Sequence, residues 1–174
     1  MRVIAGEYSG RRLAAPKGAA TRPTADRVRE ALFSALGDLS DMTVLDLFAG
    51  SGALGIEALS RGAREATFVE RARPALAALR SNLDTLEVRA EVHAGDARAF
   101  VRNAANAGRT YDLVFLDPPY RDAERLAREL EPARVLAPGG RLVTESDRRS
   151  PFAIELPTIF ERRYGDTLIR IHGH

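Results

Sequence analysis

The run Thr43-Val44-Leu45-Asp46-Leu47-Phe48 opens directly onto Gly50-Ser51-Gly52-Ala53-Leu54-Gly55, and no other junction restricts the fold of this chain as much. A largely apolar run of this length reads as a buried strand, and the glycines allow a tight turn into a helix that ends near Gly62. That is the first half of a crossover unit, and such units then repeat. Ala66–Val69 reads as a second strand, Pro74 opens a helix carrying Leu76, Leu79, Leu83 and Leu86, and Val88–His93 is a weaker strand. A helix over 97–106, a strand over Tyr111–Leu116, a helix over 123–136 and a strand over Arg141–Glu145 continue the alternation. Pro138-Gly139-Gly140 is expected to stop the helix before that last strand. Two short strands near 152–160 and 166–171 finish the sheet. The class is therefore α/β, with a mainly parallel sheet and helices on both faces.

Ahead of this core, residues 1–20 are short, polar and glycine-rich, with a possible small strand at Arg2–Ala5 and turns near Gly6 and Gly10. Pro23-Thr24 then opens a helix whose apolar stripe is Val28, Ala31, Leu32, Ala35 and Leu36; Asp26 suits its first turn and Gly37 its end. No repeat or interdomain linker is visible. The chain divides into a basic N-terminal extension with its helix (residues 1–41), packed on the core, and a single globular unit (residues 42–174).

Charge is unevenly spread along the 174 residues, whose formal net charge is +2. Residues 1–29 carry Arg2, Arg11, Arg12, Lys17, Arg22, Arg27 and Arg29 against Glu7 and Asp26, seven cations to two anions, so the remainder is net negative. A basic leading segment on a near-neutral body points to a polyanionic partner. Cysteine is absent, which excludes disulfides and thiolate metal sites and fits a reducing cytoplasm. The histidines, His93, His172 and His174, show no metal-ligand spacing. No apolar run approaches the roughly 20 residues of a membrane span.

Gly50, Gly52 and Gly55 match G-x-G-x-x-G, and Glu70 follows Gly50 by 20 residues at the end of the next strand. Taken alone this is a dinucleotide fingerprint, with the acid on a ribose hydroxyl. Asp46 argues against it, because a carboxylate inside the first strand would set anion against pyrophosphate. The same carboxylate suits a ligand bearing an ammonium and a sulfonium, as S-adenosylmethionine does. Phe48, Ala49, Gly50, Ser51 and Gly52 would then line its methionine and ribose parts, and Glu70 its ribose. Asp96 and Ala97, after the third strand, lie where the adenine end would be; Asp96 also reads as a helix N-cap.

Asp117-Pro118-Pro119-Tyr120 closes the strand Leu113-Val114-Phe115-Leu116. Paired prolines fix φ and remove two backbone donors, so their carbonyls and the Asp117 carboxylate stand outward as acceptors beside an aromatic face. That array suits a planar amino group on a base, although Asp-Pro-Pro is also an ordinary turn. Hydride transfer has no evident use for such a corner.

The chain resembles the S-adenosylmethionine-dependent methyltransferases, and specifically the RsmD-type family that methylates a guanine N2 amine of small-subunit (16S) ribosomal RNA. The residues that carry the resemblance are Arg2-Val3-Ile4-Ala5-Gly6, Gly10-Arg11-Arg12-Leu13, Thr21-Arg22-Pro23-Thr24, Arg27 through Phe33, Asp46 through Gly62, Asp117 through Tyr120, and Tyr164-Gly165-Asp166-Thr167. It implies a Rossmann-like class I fold of seven strands, the last antiparallel. It implies too a cytoplasmic enzyme acting on ribosomal RNA or the 30S particle, with no membrane partner. Asp117, Pro118, Pro119 and Tyr120 would be catalytic, and Arg2, Arg11, Arg12, Arg22, Thr24, Arg27 and Arg29 would hold RNA. A monomer is expected. The Asp-Pro-Pro-Tyr motif is shared with adenine-N6 methyltransferases of DNA and RNA, so the alternatives are such an enzyme, a dehydrogenase, or a non-catalytic RNA-binding module on the same fold.

Overall fold

A computed structural model describes residues 1–16, 23–118 and 129–173, apart from the side chains of residues 23–25. The elements are α1 (Pro23–Leu36), β1 (Thr43–Leu47), α2 (Ala53–Ser60), β2 (Glu65–Glu70), α3 (Arg73–Thr85) and β3 (Glu91–Ala94). After them come α4 (Ala97–Asn106), β4 (Tyr111–Leu116), a 3₁₀ turn (Pro132–Val135), β5 (Leu136–Asp147), β6 (Thr158–Tyr164) and β7 (Thr167–His172). The strands form one seven-stranded sheet in the order β3-β2-β1-β4-β5-β7-β6. Strands β1 to β5 pair in parallel, while β7 runs antiparallel to both β5 and β6.

Side chains on a strand alternate between faces, and a central strand must be apolar on both. Strands β1 and β4 meet this demand. Val44 and Phe115 enter a core with Val28, Leu32, Phe33 and Leu36 of α1, Ile56 of α2, and Leu79 and Leu83 of α3. Leu45, Leu47, Val114 and Leu116 enter a second core with Phe100, Val101 and Ala104 of α4. Helices thus cover both faces.

The N-terminal segment seals the first core. Val3 and Leu13 are buried in it, and the chain doubles back through a single antiparallel bridge between Arg2 and Arg12 instead of the small strand expected there. Glu57 of α2, fully buried, accepts the backbone N–H of Ile4 at 2.7 Å and of Ala5 at 3.1 Å. Arg61 donates to the same carboxylate at 2.7 Å. Gly6 passes so close to α2 that a Cβ would sit 1.7 Å from the Ser60 carbonyl oxygen.

Three expectations need correction. The helix over 123–136 does not reach its expected end: Glu131 takes a positive φ of 44° and Pro132 opens the 3₁₀ turn, since proline has no N–H to continue a helix. The first part of that expected helix, residues 123–128, lies outside the described residues. Pro138-Gly139-Gly140 stops nothing, because it lies inside β5, where the register breaks between the pairs Tyr111/Leu136 and Leu113/Arg141. Extra residues bulge out there, and glycine permits the close approach: a Cβ on Gly140 would meet the Ala137 and Tyr111 carbonyls at 2.9 and 3.1 Å. The strand expected at 152–160 begins at Thr158, because Phe152 leaves the sheet to fill the α4-side core.

Candidate active site

In a doubly wound sheet, ligands bind beyond the carboxyl ends of the strands where the strand order reverses. Here that point lies between β1 and β4, paired from Val44↔Leu113 to Leu47↔Leu116. The register carries Asp46 and Asp117 to the same edge, and the β4–β5 pair Leu116↔Thr144 adds Glu145 beside Asp117. A cavity of about 610 Å³ opens there, its wall including Asp46, Phe48, Ala49, Gly50, Ser51 and Asp117. Glu145, Asp147 and Tyr164 complete its far side.

Asp46 is buried, and its carboxylate accepts the Gly55 N–H at 2.9 Å. Burial pushes its carboxyl up to about 7, with the Glu70 charge adding to the effect and the Gly55 hydrogen bond opposing it. Asp117 is half-buried, and its carboxyl is pushed well above the usual carboxylate range by burial, then by the charges of Glu145 and Asp46. Three carboxyls crowded at one strand edge favour a cationic or donor-rich ligand, which would relieve the cost of ionising them together.

The loop over this edge is shaped for close approach. Phe48 has φ 63°, a conformation rarely adopted by an aromatic residue, and Gly50 has φ 58°. A Cβ on Gly50 would meet nothing nearer than the Phe48 carbonyl at 4.0 Å, so the backbone is bare on that side. Glu70 accepts the Gly50 N–H at 2.9 Å through one oxygen and the Arg71 and Ala72 N–H groups through the other. It fastens the loop to the start of α3. These residues fit a cofactor with a cationic amino-acid end and a ribose, because the bare backbone and the buried carboxylate sit on one wall.

Not every expected residue shares that wall. Gly52, Glu70, Asp96, Ala97 and the buried Pro118 do not line the cavity. Asp96 caps α4, accepting the N–H groups of Arg98 at 3.0 Å and Ala99 at 3.1 Å. The Gly95 N–H donates to the Glu70 carbonyl at 3.0 Å, holding this cap next to the β2 end. Pro119, Tyr120 and Arg22 lie outside the described residues, as does the Thr24 side chain.

Among the basic residues, Arg2, Arg11, Arg12 and Arg27 are exposed. Arg29 is not: it is 6 % exposed, lies in the cavity wall, and donates to the Arg2 carbonyl at 2.6 Å and to Asp26 at 2.8 Å. Its position on the apolar stripe side of α1, next to Val28, turns it inward toward the cavity and away from the exposed basic surface on which Arg2, Arg11, Arg12 and Arg27 stand.

Sequence reasoning missed Glu145, Asp147 and Asn82. The carboxylates Glu145 and Asp147 end a strand whose start was misplaced, and the two-residue spacing on one face was the available signal. Asn82 of α3 is buried; its carbonyl accepts the Ala14 N–H at 2.7 Å, while its amide donates to Ala14 and Ser51 carbonyls at 3.0 and 2.9 Å. It joins the basic segment to the glycine loop, and nothing local in the sequence announces such a contact.

Comparison with known proteins agrees with this geometry. The Ribosomal RNA small subunit methyltransferase D of Escherichia coli (strain K12) is 46% identical over 126 residues, covering 70% of this chain and 61% of that protein. The protein of the same name from Haemophilus influenzae is 38% identical over 157 residues, covering 87% of this chain and 81% of its own length. The solved structure of the Thermus thermophilus hypothetical protein TTHA0928 superposes with a TM-score of 0.86 at 31% identity, over 100% of this chain and 99% of that one. The family model described as Conserved hypothetical protein 95 matches residues 1–172, and the chain belongs to that family, the RsmD family of class I methyltransferases.

Proposed function

We propose that this chain methylates the exocyclic N2 amine of a guanine in 16S ribosomal RNA, within the 30S subunit or its cytoplasmic precursor. S-adenosylmethionine, when bound, would supply an activated methyl group whose departure leaves a neutral thioether. The observation that carries the reading is the shared cavity of Asp117 and the glycine loop, which sets an amine acceptor facing the cofactor cradle. The names of the Escherichia coli and Haemophilus influenzae relatives support the ribosomal substrate.

In this reading Asp46, Phe48, Ala49, Gly50, Ser51 and Gly52 hold the methionine and ribose parts, Glu70 the ribose, and Asp96 with Ala97 the adenine. Positioning is the main task, and it can be worth several kcal/mol of barrier. The guanine amine is a weak nucleophile because its lone pair is delocalised into the ring. Asp117 and the Pro118 carbonyl would draw its hydrogens, favour a pyramidal nitrogen and stabilise the positive charge that develops there. The methylated cation is acidic, so Asp117 need only receive its proton or pass it to water. Tyr120 would stack on the base, which must leave its helix or already stand in a loop. Arg2, Arg11, Arg12, Arg22, Thr24 and Arg27 would hold phosphates around a monomer.

Mass mapping of modified nucleosides in small-subunit RNA from cells lacking the protein tests this. One N2-methylguanosine is expected to disappear and to return when the purified protein and labelled cofactor are added to the 30S particles. Labelling of duplex DNA but not of the particles would overturn the reading.

A further inference from the structure

The amine acceptor at Asp117 does not say which base it serves, since adenine, cytosine and guanine all carry an exocyclic amine. We propose that Glu145 makes that choice, by accepting the ring N1–H of guanine beside the amine held at Asp117. This rests on the guanine reading above and names the residue that enforces it.

Three observations carry it. The pair Leu116↔Thr144 puts the next residues, Asp117 and Glu145, side by side at the top of adjacent strands. Both line the same cavity beyond the glycine loop, and each is only half-buried, so both can be reached from it. Their charges are close enough for Glu145 to be the largest electrostatic influence on Asp117. An ionised carboxylate can only accept hydrogen bonds. Of the amino bases, guanine alone has a donor, N1–H, on the ring atom next to its amine-bearing carbon. Adenine and cytosine each have one bare ring nitrogen beside that carbon and a carbon on its other side; the bare nitrogen would face the carboxylate lone pair to lone pair. Flipped bases are read through hydrogen bonds to this edge.

Guanine follows N1–H with the acceptor O6. Across the sheet, β5 is followed by β7 and β6, and Tyr164 ends β6 on the same cavity wall. Its hydroxyl is buried and has no hydrogen-bond partner among the described residues. The acceptors that stand side by side on the cavity, Asp117 and Glu145, match guanine's amine and N1–H.

The test uses 30S particles whose mapped target nucleotide is either guanine or 2,6-diaminopurine, which keeps the amine but has no hydrogen on N1. The full-length wild type and Glu145→Gln are compared for methyl incorporation, with calorimetric binding of S-adenosylhomocysteine as a check on the fold. Wild type is expected to prefer guanine. In Glu145→Gln, kcat/KM for guanine should fall on the order of 10–100-fold, the effect of one charged hydrogen bond. The preference should shrink to within a few-fold, because the amide can donate to a bare N1. Unchanged preference in the variant overturns the role of Glu145, as does loss of S-adenosylhomocysteine binding. A wild type that labels neither particle overturns the guanine reading itself.

Discussion

Asp46 accepts the N–H of Gly55 at 2.9 Å, tying the end of β1 to the first turn of α2 across the glycine loop. The bond opposes, but does not cancel, the cost of burying the carboxyl, which titrates near 7 instead of its ordinary 3.8. A raised value means that the folded protein keeps a proton the unfolded chain has lost, so stability falls as pH rises from about 4 to about 7. Asp46→Asn should flatten this fall by on the order of 4 kcal/mol, read as melting temperature against pH without cofactor. The wild type should bind S-adenosylmethionine more tightly at pH 8 than at pH 6, since only the carboxylate attracts the sulfonium and ammonium. Affinity that is flat with pH would remove Asp46 from cofactor binding.

Asp117 is raised by burial and by its acidic neighbours, so it is a full acceptor only above its shifted pKa. Turnover should therefore rise with pH through that value. Asp117→Ala should lower kcat at least 100-fold, in keeping with the loss of a charge-stabilising group, while S-adenosylhomocysteine affinity stays within a few-fold. A variant that turns over normally takes Asp117 out of the chemistry.

Glu57 anchors the N-terminal segment through Ile4, Ala5 and Arg61. Glu57→Ala leaves two backbone donors and a guanidinium without this partner, and should cost about 2–4 kcal/mol. Gly6→Ala should detach the same segment, because its Cβ would lie 1.7 Å from a backbone oxygen that cannot move aside cheaply. Hydrogen exchange at the Ile4 and Ala5 amides checks both: strong protection in the wild type, fast exchange in either variant.

Arg11 and Arg12 are exposed on the doubled-back segment, and the Arg11 guanidinium donates to the Thr85 carbonyl at 2.9 Å. Replacing both by Ala should weaken RNA binding and reduce the slope of log K against log salt by up to about 2, with little change in melting temperature. Arg29→Ala should do the reverse, costing stability while leaving the salt slope alone. An unaltered slope in the double variant would mean that this segment serves something other than RNA.

Local chemistry carried most of the fold into view. The apolar runs of β1 and β4, the leucine spacing of α3, the Asp96 cap and the glycines after β1 each act over a few residues, so each is legible where it stands. Where local cues mislead, at Pro138-Gly139-Gly140 and Phe152, packing overrides them: a bulged strand and a core-filling side chain use residues that otherwise read as a stop and a strand.

The cavity is a different matter. Asp46, Asp117, Glu145 and Tyr164 are spread over more than a hundred positions, and only sheet order and register bring them to one edge. Arg29 shows the same limit from the other side, because its charge is visible in the chain but its burial is set by how α1 lies on the sheet. Residue types declare what chemistry is on hand. Which of them meet is settled by strand pairing, since hydrogen-bonded neighbours in a sheet need not be neighbours in the chain.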